Sequence, residues 1–362
     1  MRVAVRADAA ATIGSGHVMR CLTLADELAS RGAEVVFVTR EHPGHLIDII
    51  RARGHRACVL PSHGPLGSEP GSWLPAGPDE DARDTRSALA DEAPLDWLVV
   101  DHYALGAPWH EAVRSLAQRL LAIDDLADRP LAADLVLNQN YGTDTEAYAE
   151  HSPGATVLAG PAFALLGAQY RSARAQIDSA QGGRARAPRA GERTNLLISL
   201  GGSDPGNATG AVLEALVPLL PVLDHVDVVV GRHQSDLATL RRRCGRHRNL
   251  ALHVQTDRMA ELLLRNDLAI GAGGSSTWER LCLGVPTITL PLADNQRPTA
   301  RALHQAGLIE LAPDDWRAEG ALASAVVALA SDAARRSELA RRGMRLVDGA
   351  GAERVANTLL GA

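Results

Sequence analysis

The stretch Leu268-Ala-Ile-Gly-Ala-Gly-Gly-Ser-Ser-Thr-Trp-Glu279 admits few folds. Leu268 to Ile270 reads as the end of a short buried strand. Gly271, Gly273 and Gly274 let the backbone turn tightly and lie close to a ligand. Ser275, Ser276 and Thr277 then open a helix running through Trp278 and Leu281 to about Gly284. Strand, glycine turn and helix N-terminus together make an anion site, because free N–H groups and the helix dipole both favour negative charge. A diphosphate fits such a site, and Glu279, one turn on, is placed to accept both hydroxyls of a ribose. A second reading stands beside this one. Ser276 and Glu279 have the spacing of a capping box, in which the carboxylate serves only the helix's own first N–H groups.

The same unit recurs along the chain. Arg2–Arg6 reads as a strand, Ile13–Arg20 as a glycine turn entering a helix, and Val18, Leu22, Ala25 and Ala29 recur at helical spacing up to Gly32. Strands follow at 34–39 and 57–60, with a helix at 46–53 between them. The β-α-β-α-β order implies a parallel sheet with right-handed crossovers. Residues 61–78, rich in proline and glycine, read as a loop, and 79–92 as a polar helix. Trp97–Asp101 is a buried strand carrying Asp101, His102 and Tyr103 at its carboxyl end, where ligands bind in doubly wound sheets. A helix near 109–118 and strands at 120–123 and 135–138 complete the first run. A second α/β run starts at Thr194 with the turn Gly201-Gly-Ser-Asp-Pro-Gly206. Between them, Ala173–Arg193 is rich in arginine, glycine and alanine and reads as an exposed linker. A chain of 362 residues exceeds the roughly 250–300 at which single cores stop growing, so two domains are expected: 1–172 and 194–362, joined by 173–193.

Composition narrows the function classes. The net charge is −6 with no long basic block outside the linker, which argues against nucleic acid. Cys21, Cys58, Cys244 and Cys282 are scattered, with neither metal-type spacing nor a disulfide framework. No segment reads as a signal peptide or a membrane span, so a cytoplasmic protein without membrane partners is expected. The glycine turn at 14–16 lacks the third glycine of a dinucleotide fingerprint, and no Gly-x-Ser-x-Gly elbow occurs. No Cys/His metal constellation occurs. Asp124 and Asp125 are adjacent acids that do not share a face, so a solvated turn is expected there.

Individual residues in this frame carry chemistry. His17 follows Gly16 in the first turn of the first helix, where the dipole disfavours a protonated imidazole, so it reads as a neutral base able to take a proton from water. It equally suits a structural role in the turn. Arg20 lies one helical step on, able to bind phosphate or to pair with Asp8 or Asp101. Tyr103 can meet a sugar hydroxyl or cover the core. Asn295 and Gln296 can read hydroxyls or acetamido groups, or Asn295 can cap a helix. Gly201, Gly202 and Ser203 can bring N–H groups to a phosphate, although Asp204-Pro205 is also an ordinary cap and first-turn pair. Met259 opens a helix and can bring backbone groups to a base edge.

The motifs Gly14–Arg20, Val100–Tyr103, Ile123–Arg129, Ile198–Asp204, Gly271–Glu279 and Asp294–Gln296, in this order, resemble PseG-type UDP-sugar hydrolases and the similar SpsG-type proteins of spore-coat polysaccharide pathways. The resemblance runs from Arg2 to about Gly307. It implies a GT-B fold like that of MurG, with two Rossmann-like domains facing across a cleft. It implies hydrolysis of a UDP-2,4-diacetamido-2,4,6-trideoxy sugar with inversion, releasing UDP and free sugar for a pseudaminic acid-type route or a surface polysaccharide. It implies neither a cofactor nor a metal. On that model His17 is the base. Gly14, Gly16, Arg20, Tyr103, Asn295 and Gln296 contact the sugar side. Gly201, Gly202, Ser203, Met259, Gly274, Ser275, Ser276, Thr277 and Glu279 hold UDP. The competing readings are a GT-B glycosyltransferase needing an acceptor hydroxyl, and a sugar-nucleotide binder without catalysis. The long linker and the proline-rich loop depart from the pattern and leave the sugar open.

Overall fold

The computed structural model describes residues 1–361 apart from 68, 182–193, 203, 205, 233 and 235. The chain divides into two compact units, Met1–Gly167 with Ala350–Ala362, and Ala168–Gly349.

In the first unit, β1 (Arg2–Ala7), β2 (Glu34–Arg40), β3 (Arg56–Leu60), β4 (Leu95–Asp101), β5 (Ala117–Ile123), β6 (Leu135–Asn138) and β7 (Thr156–Ala159) form one sheet in the order β3-β2-β1-β4-β5-β6-β7. Every pair is parallel. Side chains alternate across it as a strand's two-residue period demands. Val3, Val5, Trp97 and Val99 enter one core, while Ala4, Leu98 and Val100 enter the other. The order reverses between β1 and β4, with Ala7 opposite Asp101 at their carboxyl ends. That reversal opens the crevice in which doubly wound sheets bind ligands.

The second unit repeats the plan. Its sheet holds β8 (Asn195–Ser199), β9 (His225–Val230), β10 (Leu250–Val254), β11 (Leu268–Ala272), β12 (Thr287–Leu290) and β13 (Glu310–Leu311), in the order β10-β9-β8-β11-β12-β13. Its reversal falls between β8 and β11, so Gly201 and Gly202 after β8 and the turn 271–274 after β11 flank the switch point.

Two expectations about domain limits need correction. Residues 173–181 of the expected linker belong to a helix, Ala168–Gln181, whose first residues fall within the expected first domain. Tyr170, Ala173 and Ile177 recur at helical spacing and are buried. Arg174 Nη1 donates to the carbonyls of Cys282 (3.2 Å), Met344 (2.8 Å) and Val347 (3.1 Å), fastening that helix to the second unit. The remaining linker, 182–193, lies outside the described residues. The last helix, Gly351–Leu360, belongs to the first unit and not to the second. Its stripe Ala352, Val355, Ala356 and Leu359 joins the core with Val3 and Val5, and Trp97 Nε1 donates to the Leu359 carbonyl at 3.0 Å. Gly351 permits this packing, because a Cβ there would meet the Ala164 backbone at 2.2 Å. The helix Thr145–His151, capped by Asp144, and the short strands β7 and β13 carried no clear signal in the sequence.

No described helix is long and apolar enough to cross a membrane. All four cysteines are free thiols.

Candidate functional site

The first switch point is built around one buried carboxylate. After β1 the chain turns through Gly14, whose φ of +85° suits glycine and whose N–H donates to the Ala10 carbonyl at 2.8 Å. The helix Gly16–Ala29 then begins. Its positions 17, 20 and 21 share one face, being three and four residues apart. All three meet Asp101 at the end of β4. His17 Nδ1 lies 2.6 Å from Asp101 Oδ1. Arg20 forks onto both oxygens, Nε at 2.6 Å and Nη2 at 2.7 Å, and Cys21 Sγ lies 3.5 Å away. Burial alone would raise the Asp101 carboxyl, but Arg20 and His17 hold it well below the usual carboxylate range. An ionised Asp101 can only accept, so Nδ1 of His17 is the ring nitrogen that carries a proton toward it, which in the neutral ring makes Nε2 the acceptor. His17 is 8% exposed. Its Nε2 has no partner among the described residues and is not sealed from solvent.

A second carboxylate braces the first. Asp125 accepts from Arg20 Nη1 (2.7 Å), from the Tyr103 hydroxyl and from Asn140 Nδ2 (2.9 Å). Tyr103 thereby stands edge-on to His17, ring centroids 4.6 Å apart, and Trp73 stacks on Tyr103 at 5.6 Å. Burial and Asp125 push the Tyr103 phenol well above its ordinary value, so it remains a donor. The expected solvated turn at 124–125 is therefore overturned. Asp124 is buried and accepts from the Leu126 and Ala127 N–H groups, Arg129 and the Tyr148 hydroxyl. Of the two partners weighed for Arg20, Asp101 is the one it meets. Asp8 instead pairs with Arg6, within a buried network that includes Asp81 and Arg40.

The second switch point is wired differently. After β8, Gly201 takes φ +105° and Gly202 is exposed, and both border the switch point; Ser203 lies outside the described residues. Asp204 turns back and accepts from the N–H groups of Ala208 and Thr209, each at 2.8 Å. That helix start is filled by the chain's own carboxylate. After β11, the helix Ser276–Cys282 has no side-chain cap. Thr277 and Trp278 donate to the carbonyls of Gly274 and Ser275. The N–H groups of Gly274, Ser275 and Ser276 find no acceptor among the described residues.

Several side chains expected to face a ligand are engaged internally. Ser276 Oγ and Thr277 Oγ1 accept from buried Arg280, at 2.9 and 3.0 Å. Burial lowers that guanidinium to about 10. Gln296 Oε1 accepts from the N–H groups of Gly273 (3.2 Å) and Leu292 (3.0 Å), tying the turn after β11 to the loop after β12. Asn295 is exposed and caps nothing, since the next helix, Arg297–Gln305, starts from Gln296 without a side-chain cap. Met259 opens the helix Met259–Arg265, which follows β10 and packs on β8. The capping box also fails. Glu279 is half-buried and bonds Tyr170 instead, and burial, offset only in part by Tyr170 and Arg280, raises its carboxyl to about 7.

Among the described residues, His63, Glu80 and Asp84 have metal-like spacing, but Asp84 already accepts from Arg40 and His63. Sequence reasoning missed Asp125, Asn140, Trp73, Tyr170 and Arg280. The spacing of His17 and Arg20, one helical step apart, is the signal that pointed toward a shared face.

Known proteins share the fold and the sequence pattern. A model of the glycosyltransferase family 28 C-terminal domain matches residues 200–352. The chain is 30% identical over 230 residues to the spore coat polysaccharide biosynthesis protein SpsG of Bacillus subtilis, covering 62% of this chain and 63% of that one. It is 23% identical over 310 residues to a UDP-2,4-diacetamido-2,4,6-trideoxy-β-L-altropyranose hydrolase of Campylobacter jejuni, covering 85% and 97%. It spans 57% of the length of a third relative, an uncharacterized protein of Methanocaldococcus jannaschii. MurG of Acinetobacter baumannii superimposes over 100% of both chains with a TM-score of 0.65 at 17% identity. The fold is GT-B, and the resemblance to PseG/SpsG-type proteins read from the motifs is borne out.

Proposed function

We propose that the chain is a UDP-sugar-processing enzyme of polysaccharide biosynthesis that hydrolyses a UDP-activated diacetamido-trideoxy sugar at the anomeric carbon, with inversion. The observation that carries this reading is the Asp101-held His17, whose Nε2 has no partner among the described residues and is not sealed from solvent. The water oxygen attacks the anomeric carbon while Nε2 takes its proton, and the bond from that carbon to the diphosphate oxygen breaks with its electrons leaving on UDP. Developing imidazolium charge is balanced by ionised Asp101, which Arg20 in turn holds in place.

In the second unit the N–H groups of Gly274, Ser275 and Ser276 hold the diphosphate as its charge grows. Glu279 meets the ribose, Gly201, Gly202 and Ser203 flank the phosphates, and Met259 meets the base edge. Thr277 and Gln296 act by shaping the turn rather than by direct contact. Gly14 and Gly16 shape the entry to the His17 turn, and Tyr103 and Asn295 line the sugar. The hydrolase relative from Campylobacter jejuni and the six ordered motifs support water as the acceptor.

The family 28 match favours one alternative, transfer to an acceptor hydroxyl. The test is incubation with UDP-2,4-diacetamido-2,4,6-trideoxyhexose and no acceptor. Free reducing sugar released together with UDP is the expected result. Strict dependence on an added acceptor overturns hydrolysis, and binding without release in either case marks a non-catalytic binder.

A further inference from the structure

The loop after β3 brings Trp73 to the His17 site. Its ring stacks on Tyr103 with an interplanar angle of 24° and stands edge-on to His17, centroids 5.9 Å apart. A second edge contact, with His102, has its centroids 5.9 Å apart. Trp73 is 6% exposed, and its indole nitrogen is enclosed without an acceptor. Two other buried indoles of the same unit behave differently. Trp97 donates to the Leu359 carbonyl and Trp109 to Asp81, each at 3.0 Å. An enclosed donor without a partner is unfavourable, and buried indole N–H groups ordinarily find one.

We infer that Trp73 is a specificity residue, whose indole N–H takes the carbonyl oxygen of a sugar acetamido group when substrate sits against His17. The inference rests on the reading of His17 as the site of sugar chemistry. Indole N–H is a donor only, so it selects an acceptor and offers nothing to an ammonium or to a donor-only group. An amide carbonyl is a strong neutral acceptor and extends well beyond the ring carbon that bears it. A hydroxyl on the same carbon ends closer to the ring and falls short. Stacking on Tyr103, itself tethered to Asp125, restricts the indole to a narrow range of orientations beside His17. The proline- and glycine-rich loop, which departs from the family pattern, thus supplies a sugar contact.

The test is an indole ¹H–¹⁵N spectrum of the full chain, in which Trp73→Phe identifies the Trp73 signal. Phenylalanine keeps an aromatic ring against Tyr103 but removes the N–H together with part of the bicyclic ring, so the spectrum and not the rate carries the test; if that variant does not fold, Trp73→Tyr serves the same assignment. The ligands are UDP-2,4-diacetamido-2,4,6-trideoxyhexose and UDP-glucose. The Trp73 proton is expected to move downfield with the first and to stay in place with the second. In the Phe variant kcat/KM for the diacetamido sugar falls roughly 10- to 100-fold, the range of one lost buried hydrogen bond. A signal unmoved by the diacetamido sugar, or moved equally by UDP-glucose, overturns the inference. If the signal moves while UDP is never released, the hydrolysis reading falls and this one stands. If UDP is released while the signal stays, this one falls alone.

Discussion

At the switch point of β1 and β4, charged side chains close on one another: Asp101 takes His17 and Arg20, and Asp125 takes Arg20, Tyr103 and Asn140. What is left over at this cluster, among the described residues, is His17 Nε2, with the unpartnered Trp73 indole N–H beside it. At the switch point of β8 and β11 the side chains are drawn inward, onto Arg280 and Gln296, and what is left over is a row of backbone N–H groups. One sheet therefore ends in a fixed proton acceptor and the other in a fixed set of donors. The same architecture serves two chemistries because loops, not strands, decide what remains unpaired.

The comparison breaks most completely at His17. His17→Asn is expected to lower kcat by about 10³-fold or more while UDP affinity, measured by calorimetry, is unchanged, since a base acts only in the transition state. Near-normal turnover in that variant would make the imidazole structural. Asp101→Asn keeps the shape but removes the charge. A kcat loss of about 10²-fold is expected, together with about 3–5 kcal/mol of stability, because Arg20 is left partly uncompensated in a buried site. Denaturant unfolding alongside kinetics separates the two effects.

The second unit is sharpened by Glu279. Its folded carboxyl titrates near 7, above the ordinary value of 4.5. Between those values the folded state holds a proton that the unfolded state has lost, so this group makes stability fall as pH rises from about 4.5 to 7. The effect reaches at most about 3 kcal/mol at roughly 1.4 kcal/mol per unit. Glu279→Gln should remove it, and so gain stability relative to the parent at pH 7.5 but not at pH 4; parallel unfolding curves at both pH values would refute the assignment. If the carboxylate also meets the ribose, the same variant weakens UDP binding. Smallest is Asp204→Ala, which uncaps the helix Ala208–Leu216 and is expected to lower stability by about 1–2 kcal/mol. UDP affinity should hold within about threefold, because that helix start is already filled by the chain itself.

The parallel sheets were readable because each strand, glycine turn and helix repeats a local pattern, and because both switch points follow from strand order. The helix Ala168–Gln181 was hidden by its arginines, which mask a stripe as sparse as Tyr170, Ala173 and Ile177. The stripe of Gly351–Leu360 was visible, but an apolar face does not say which of two similar sheets it will cover. In the site, His17 and Arg20 stood out from their place in a helix turn. Asp101, 81 residues from Arg20, was one of the two acids weighed for it, but pairing over such distances has no local signature to choose between Asp8 and Asp101 or to add His17, 84 residues away. Trp73, in a loop without periodicity, was not singled out for the same reason. Ser276, Thr277 and Gln296 have the right chemistry for a ligand, but Arg280 and the backbone compete for the same atoms.

The return of Gly351–Leu360 to the first sheet makes the second unit an insertion within the first. During synthesis the ribosome must therefore translate past Leu359 before Val3 and Val5 receive their last covering, long after the first seven strands have emerged. A gene fragment stopping at Gly349 would yield a first unit with that apolar face bare and prone to aggregate. To express it alone, a designer would have to splice 350–361 directly behind Gly167.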